Sequence, residues 1–451
     1  MARIWRIRNR ALAGLLAALL GLAGGCASGP PEDAESAPVT APGRTLSEAE
    51  AARTYEAVWA GIGRSLPEAT LEQANAAGLR ADYRERALAA RSGDELRGVL
   101  RAMLEQLGLS HYALLPDAAP GEAPERGGEA VVGIEPWPVA GGGLAVGRVL
   151  EGTPAAQAGI GRGWLIGEVG GLRVPELAEE LAAAGMREAR HRFHLAHRVE
   201  QALSGPAGTR VALAVRPPGG KERRLTLERV PYPGELSPRL GNLNPMPMAF
   251  EARELAGGVR YVRFSLFHPA LMGRLREALS GAGPAGVIMD VRGNPGGLAM
   301  MAGGVAGLLT QERFVLGTMR MREGHFNVVA FPQPGAYSGP VAVLMDARSA
   351  STAEIFALGL RELGRARLFG DVTAGAAMPS MIQTLPNGDR LQYAFAAYES
   401  AGGKSLEGTG VEPDEPVIPR ARDLAAGRDP ALEAAAEWLR ERRSGEGKAK
   451  K

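Results

Sequence analysis

One serine, a pair of glycines and a few histidines and acids carry most of the chemistry this 451-residue sequence can offer. Ser351 lies within VAVLMDARSASTAEIFALGL (Val341–Leu360), where an apolar strand pattern over Val341–Met345 meets a turn of small residues and runs straight into an apolar-faced helix pattern. A nucleophile exposed on a strand-to-helix turn needs small neighbours, and Ser349 and Ala353 stand two positions to either side. The helix mouth adds partial positive charge and free N–H groups that favour a developing oxyanion. The same serine would equally serve as a plain N-cap. A second segment, GVIMDVRGNPGGL (Gly286–Leu298), reads as a buried strand ending in a glycine-rich turn. It lacks the lysine and hydroxyl residue of a P-loop and the spacing of a dinucleotide fingerprint, so the amides of Gly296 and Gly297 suit an oxyanion hole better than a phosphate. His191, His194 and His197 recur every third residue on a helical pattern and fan around it by about 60° per step. They read as a solvated face rather than a zinc site, and neither metal nor cofactor is expected.

These residues need elements to position them. Ser47-x-x-Glu50 forms a capping box ahead of Tyr55, Val58, Trp59 and Ile62 at helical spacing. Leu96, Val99, Leu100, Met103, Leu104 and Leu107 make a second apolar stripe, stopped by Gly108. Residues 46–115 are therefore expected to be a helical domain, followed by a linker over 116–128. Short β-rich runs come next: Val131–Ile134, Leu144–Val149, Trp164–Val169, Arg210–Val215 and Arg223–Leu227, with a helical stretch from Pro175 to Leu203. They define a β domain over 129–230. Beyond the proline-rich 231–247, strand and helix patterns alternate through 248–420, as in an α/β layered core. Asp429-Pro430 supplies an N-cap and first-turn pair for a C-terminal helix placed at 421–443, with 444–451 left as a disordered basic tail.

Taken in order, these motifs resemble the carboxyl-terminal processing (tail-specific) serine peptidases, a family that includes tricorn and the retinoid-binding repeats. The resemblance spans most of residues 46–440. It runs through Leu107-Gly108-Leu109-Ser110-His111, the β-rich middle, DVRGNPGG, SASTAE, Gly364-Arg365-Ala366, Gly370-x-x-Thr373-x-Gly375 and Gly410-Val411-x-Pro413-Asp414. It implies a multidomain α+β fold: an N-terminal helical domain, a PDZ-like β domain and an α/β layered peptidase core. It also implies Ser351 as nucleophile, with Thr352 and one of Gly296 and Gly297 forming the oxyanion hole. The best-known branch uses a lysine 25 residues after the serine, where this chain has Ala376. The tricorn-like branch lacks that lysine and uses Ser, His and Glu. By that likeness Glu407 is the candidate orienting acid and His268, just past the first core strand (Val259–Ser265), the candidate base. Val132-Gly133-Ile134 resembles a PDZ carboxylate-binding loop, whose N–H groups hold a peptide C-terminus. The implied activity is an envelope endopeptidase that grips protein C-terminal segments and cleaves through an acyl-enzyme. The alternative is a catalytically silent adaptor with the same fold, motivated by Ala376, and a small-ligand binder is a third reading.

The formal net charge is +2, but Arg3, Arg6, Arg8 and Arg10 belong to a leader of 25 residues, without which it becomes 2 − 4 = −2. Nucleic acid is an unsuitable partner for such a surface. The basic start, the apolar Ala11–Ala23 run and Cys26, the sole cysteine, resemble a lipoprotein signal, with residues 26–45 as a tether. The expectation is an exported protein anchored through lipid on Cys26 in the bacterial envelope, with Ala27 favouring the outer membrane.

Overall fold

The computed structural model describes residues 45–115, 130–183, 187–239, 245–280 and 285–449. The leader, Cys26 and nearly all of the tether therefore lie outside the described residues. In chain order the helices are α1 (Glu48–Ser65), α2 (Glu68–Gln73), α3 (Ala76–Ala89), α4 (Gly93–Gln106), α5 (Pro154–Gln157), α6 (Val174–Ala183), α7 (Glu188–Leu203), α8 (Met272–Leu279), α9 (Ala299–Ala306), α10 (Thr352–Glu362), α11 (Ala421–Ala425) and α12 (Pro430–Ala449). The strands are β1 (Ala113–Leu115), β2 (Ile134–Pro138), β3 (Leu144–Val149), β4 (Leu165–Val169), β5 (Leu172–Arg173), β6 (Arg210–Arg216), β7 (Arg223–Glu228), β8 (Phe250–Leu255) and β9 (Val259–Phe264). They continue with β10 (Gly286–Asp290), β11 (Phe314–Arg320), β12 (His325–Ala330), β13 (Val341–Met345), β14 (Ala366–Gly370), β15 (Ser380–Thr384), β16 (Arg390–Ala394), β17 (Ala397–Ser400) and β18 (Glu415–Pro416).

A six-stranded sheet in the order β18-β14-β13-β10-β9-β8 forms the centre of the layered core. Its strands are parallel except for β8, which pairs antiparallel with β9. Every residue of β10 and β13 is buried, as expected of central strands covered on both faces. Val287, Met289, Val341 and Val343 pack with Leu275, Ala302 and Phe356 on one side. Ile288, Ala342 and Leu344 meet Ala431, Ala435 and Leu439 of α12 on the other. The period-two alternation of side chains thus sandwiches the sheet between helices. Both chemistry-bearing segments leave it at the carboxyl ends of neighbouring parallel strands, where open α/β sheets place their sites.

The amino-terminal helices begin where the capping pattern puts them, with Ser47 Oγ accepting from the Glu50 amide at 3.2 Å. They do not close a core alone. Tyr55, Leu96, Leu100 and Met103 pack with Leu385, Leu391 and Tyr393 of the β15–β16 region, and β1 adds to β16 as an antiparallel strand. Another sheet has the order β2-β3-β4-β6-β7, with β5 paired to β4; α6 and α7 contribute Leu177, Leu181, Leu195 and Val199 to its core.

Three local expectations change. The first β-domain strand occupies Ile134–Pro138 rather than Val131–Ile134, because Gly133 at φ 92° interrupts the extended chain and Val131 makes only an isolated bridge to Val230. The stretch from Pro175 to Leu203 is divided between α6 and α7. The terminal segment is two helices, not one over 421–443, since Gly427 at φ 74° ends α11 and the Asp429 carboxylate accepts from the Leu432 amide to open α12. Helical backbone then continues to Ala449, through most of the expected 444–451 tail; interior glycines weaken a helix without ending it.

Candidate active site

The tips of β9, β10 and β13 are tied together by hydrogen bonds among the turns that follow them. Asp346, just past β13, accepts from the amides of Gly293 (2.9 Å) and Arg348 (3.0 Å). Asn294 donates through Nδ2 to Phe264 O at 2.9 Å, and its backbone carbonyl accepts from the Ala350 amide at 3.0 Å. Ser349 Oγ donates to Val291 O at 2.8 Å. The glycine turn and the serine turn are therefore one bonded unit.

Ser351 sits at the corner with φ 54° and ψ −118°, and α10 begins at the next residue. An L residue held there stores backbone strain, which persists only where the surroundings over-determine it. Its N–H donates to Ala376 O and to Glu354 Oε2, each at 2.9 Å. Its neighbours Ala350 and Thr352 are buried while Ser351 itself stays partly exposed. The glycine pair lies directly against it. A Cβ built on Gly296 would fall 2.7 Å from Ser351 Cβ and 2.9 Å from Thr352 N; one on Gly297 would fall 2.3 Å from Phe267 O. At φ 106° and 136°, both positions require glycine. The Gly296 N–H donates to Asn294 Oδ1 at 2.9 Å. Among the described residues, the N–H groups of Gly297 and Thr352 have no acceptor.

His111, to which the sequence assigns no role, is joined to Glu407 through Ser110. Ser110 donates its N–H to Glu407 Oε1 (2.6 Å) and its hydroxyl to Glu407 Oε2 (2.8 Å), while Ser110 Oγ also lies 2.8 Å from His111 Nδ1. A hydroxyl has one hydrogen; with that given to the carboxylate, His111 Nδ1 carries the proton and donates to Oγ, leaving the Nε2 lone pair free. Burial pushes His111 down to about 4, so the ring is neutral at neutral pH. Burial pushes Glu407 up, opposed by its two hydrogen bonds from Ser110, the Arg190 charge and the Ala377 amide. One loop joins this group to the serine. Ala376 O receives the Ser351 amide, the Ala377 amide faces Glu407, and Gly375 O accepts from Gly408 N at 2.8 Å.

His268 follows Phe267, which bridges Gly297, and its ring is engaged locally. Its Nδ1 accepts from the Ala270 amide at 3.2 Å and caps the 3₁₀ turn Pro269–Leu271, while Nε2 is buried without a partner. Among the described residues no hydrogen bond links His268 to Ser351 or to Glu407, and the Glu407 carboxylate is joined to His111 through Ser110. His111 lies three residues past the Gly108 stop and at φ 62°, a positive value shared only by Asn75 and Ser351 among the described non-glycine residues. Ala376 is buried, with Ala350 and Ala374, beneath Phe193 of α7. The rings of His191, His194 and His197 take separate partners in Ala178 O, Arg190 and Gln201. In the β domain, Val132 O and Gly133 O accept from the amides of Ala155 (3.0 Å) and Leu150 (2.9 Å), and Ile134 opens edge strand β2, alongside which α7 lies.

Residues 257–417 match peptidase family S41. The core is a family S41 peptidase domain of the carboxyl-terminal-processing type. This chain is similar to a carboxyl-terminal-processing protease from Synechocystis sp., 28% identical over 271 residues, which are 59% of this chain and 57% of that protein. The match thus spans little more than half the length of that relative. The fold is shared with the photosystem II D1 C-terminal processing protease, at TM-score 0.54 and 21% identity over 85% of this chain and 99% of that one. It is also shared with mature CPAF, at TM-score 0.60 and 14% identity over 88% and 96%.

Proposed function

We propose that the S41 domain is an active serine endopeptidase in which Ser351 attacks, His111 is the general base and Glu407, acting through Ser110, orients the base. The observation that carries the reading is the Ser351 corner, a strained serine beside two amides, of Gly297 and Thr352, that have no acceptor. Attack on a peptide carbonyl forms a bond from Ser351 Oγ to carbon as the hydroxyl proton passes to His111 Nε2. The carbonyl oxygen gains the charge, which the two N–H groups stabilise. Collapse breaks the C–N bond, the leaving amine takes the proton from His111, and an acyl-enzyme remains. Water then attacks with His111 again as base and releases the acid. Ser351, Ser110, His111 and Glu407 need no lysine at position 376.

The sheet around β2 acts as a PDZ-like module: a substrate C-terminal segment adds along the β2 edge, its carboxylate held at Val132-Gly133-Ile134. Export and lipid anchoring through Cys26 belong to the same proposal, checked by fatty-acid labelling that disappears in Cys26→Ser. The deciding experiment treats unfolded casein with the protein and with Ser351→Ala, and labels both with a fluorophosphonate. Cleavage and labelling are expected only with Ser351 present. An unlabelled wild type that binds peptide without cutting it would establish the silent-adaptor reading instead.

A further inference from the structure

Glu354, the third residue of α10, is wholly buried, yet its carboxylate accepts four hydrogen bonds. Oε1 receives Thr373 Oγ1 (2.5 Å) and the Gly375 amide (2.8 Å); Oε2 receives the amides of Ser351 and Ala376 (2.9 Å each). Thr373 Oγ1 in turn accepts from the Val411 amide at 2.7 Å, and Thr373 and Val411 pair again through backbone. One buried charge therefore touches the nucleophile's own amide, the 373–376 loop and, through Thr373, the segment that follows Glu407. An ionised carboxylate offers acceptors only, which is what four converging donors need. A proton on Oε2 would face an amide that can only donate, and a proton on Oε1 would be accommodated only if the Thr373 hydroxyl turned from donor to acceptor.

We propose that Glu354 is a positioning residue for the peptidase reaction, its ionised carboxylate holding Ser351 in its strained conformation and in register with the loop against which Glu407 rests. The inference depends on Ser351 being the nucleophile, as assigned above. No basic group enters the clamp: its stabilisation comes from Thr373 and the three amides, and burial outweighs them to push the carboxyl up to about 7. The titratable groups around it are Tyr398 on β17, which feels its charge, Asp371 paired with Arg192 at the start of the loop, and Glu407 with His111 beyond it. The clamp consequently closes as pH rises through neutrality, well above the range in which His111 titrates.

The test measures kcat, KM and fluorophosphonate labelling rate for the full chain from about pH 5 to 9, the span that separates the two ionisations. In the wild type, kcat and labelling are expected to fall on the acid side of pH 7. Glu354→Gln keeps the shape but replaces acceptors by an amide that cannot satisfy all four donors. It should lower kcat and labelling about 10²-fold, the cost of a small misplacement of reacting groups, with KM little changed and the limb near pH 7 gone. Thr373→Val should lower kcat in the same sense and Thr373→Ser should restore it. Wild-type kcat in Glu354→Gln, or an acid limb that survives the substitution, overturns the proposal. If Glu354→Gln does not fold, wild-type kcat and labelling in Thr373→Val overturn it. A wild type that neither cleaves nor labels at any pH rejects the peptidase assignment, and this inference with it.

Discussion

A histidine can act as a base only if one ring nitrogen keeps its lone pair toward the reaction and the other is held in a fixed tautomer. His111 meets the second condition through Ser110 and Glu407, whereas His268 uses Nδ1 to cap its own turn. His111→Ala is therefore expected to reduce kcat/KM by about 10²–10⁴-fold, the range for losing a general base. His268→Ala should leave kcat within a few-fold of wild type, read from initial rates on the same peptide. Equal losses in both variants would return His268 to the mechanism. The sequence displayed Ser110-His111 and Glu407 in plain view, but 297 residues separate the two partners, and no periodicity reports a contact at that range. His268 was favoured because it lies close in sequence to a core strand, a weaker criterion than a hydrogen bond.

At the scale of elements, the strand–turn–helix of Ser351 and the strand–glycine turn of Gly296 were both legible, for a physical reason. A fully apolar run followed by small residues has few ways to fold other than a buried strand feeding a tight turn. The ends of elements were less legible. Gly133 and Gly427 adopt left-handed conformations that shift one strand and divide one helix, and a glycine's φ is set by its neighbours in space. Which glycine amide is left open was likewise decided by a side chain, Asn294, that takes the Gly296 amide. Gly297→Ala is expected to lower kcat by about 10²–10³-fold, as for loss of one oxyanion donor, because its Cβ collides with Phe267 O and the amide must turn away. Unchanged kcat would show that the second donor lies elsewhere.

Across the whole molecule, the site is enclosed by parts of the chain that sequence reading treated as separate domains. Helix α7, packed against the β2 sheet, reaches the peptidase core through Arg192 to Asp371 (2.6 Å), Glu200 to Arg348 (2.8 Å) and Phe193 over Ala376. Arg190 donates to Gly108 O at 3.2 Å, three residues before His111. Burial pushes Asp371 up to about 6 despite Arg192 beside it. Arg192→Ala leaves that carboxylate buried without its partner and should destabilise the fold by about 2–4 kcal/mol at neutral pH, measured by urea unfolding. Asp371→Ala in the same chain should recover much of the loss. Additive losses in the double variant would show that the pair does not couple the two parts.

The amino-acid order alone determined that a serine would stand at the mouth of a helix beside a glycine turn, because both features arise from short runs whose local preferences agree. It also determined the layered character of the core, through uninterrupted apolar strands alternating with helices. Tertiary structure decided which histidine joins Glu407, which glycine amide is left open, and that a buried glutamate holds the Ser351 backbone. Those are contacts between segments tens to hundreds of residues apart, and they exist only once packing has excluded water and each polar group has had to find a partner.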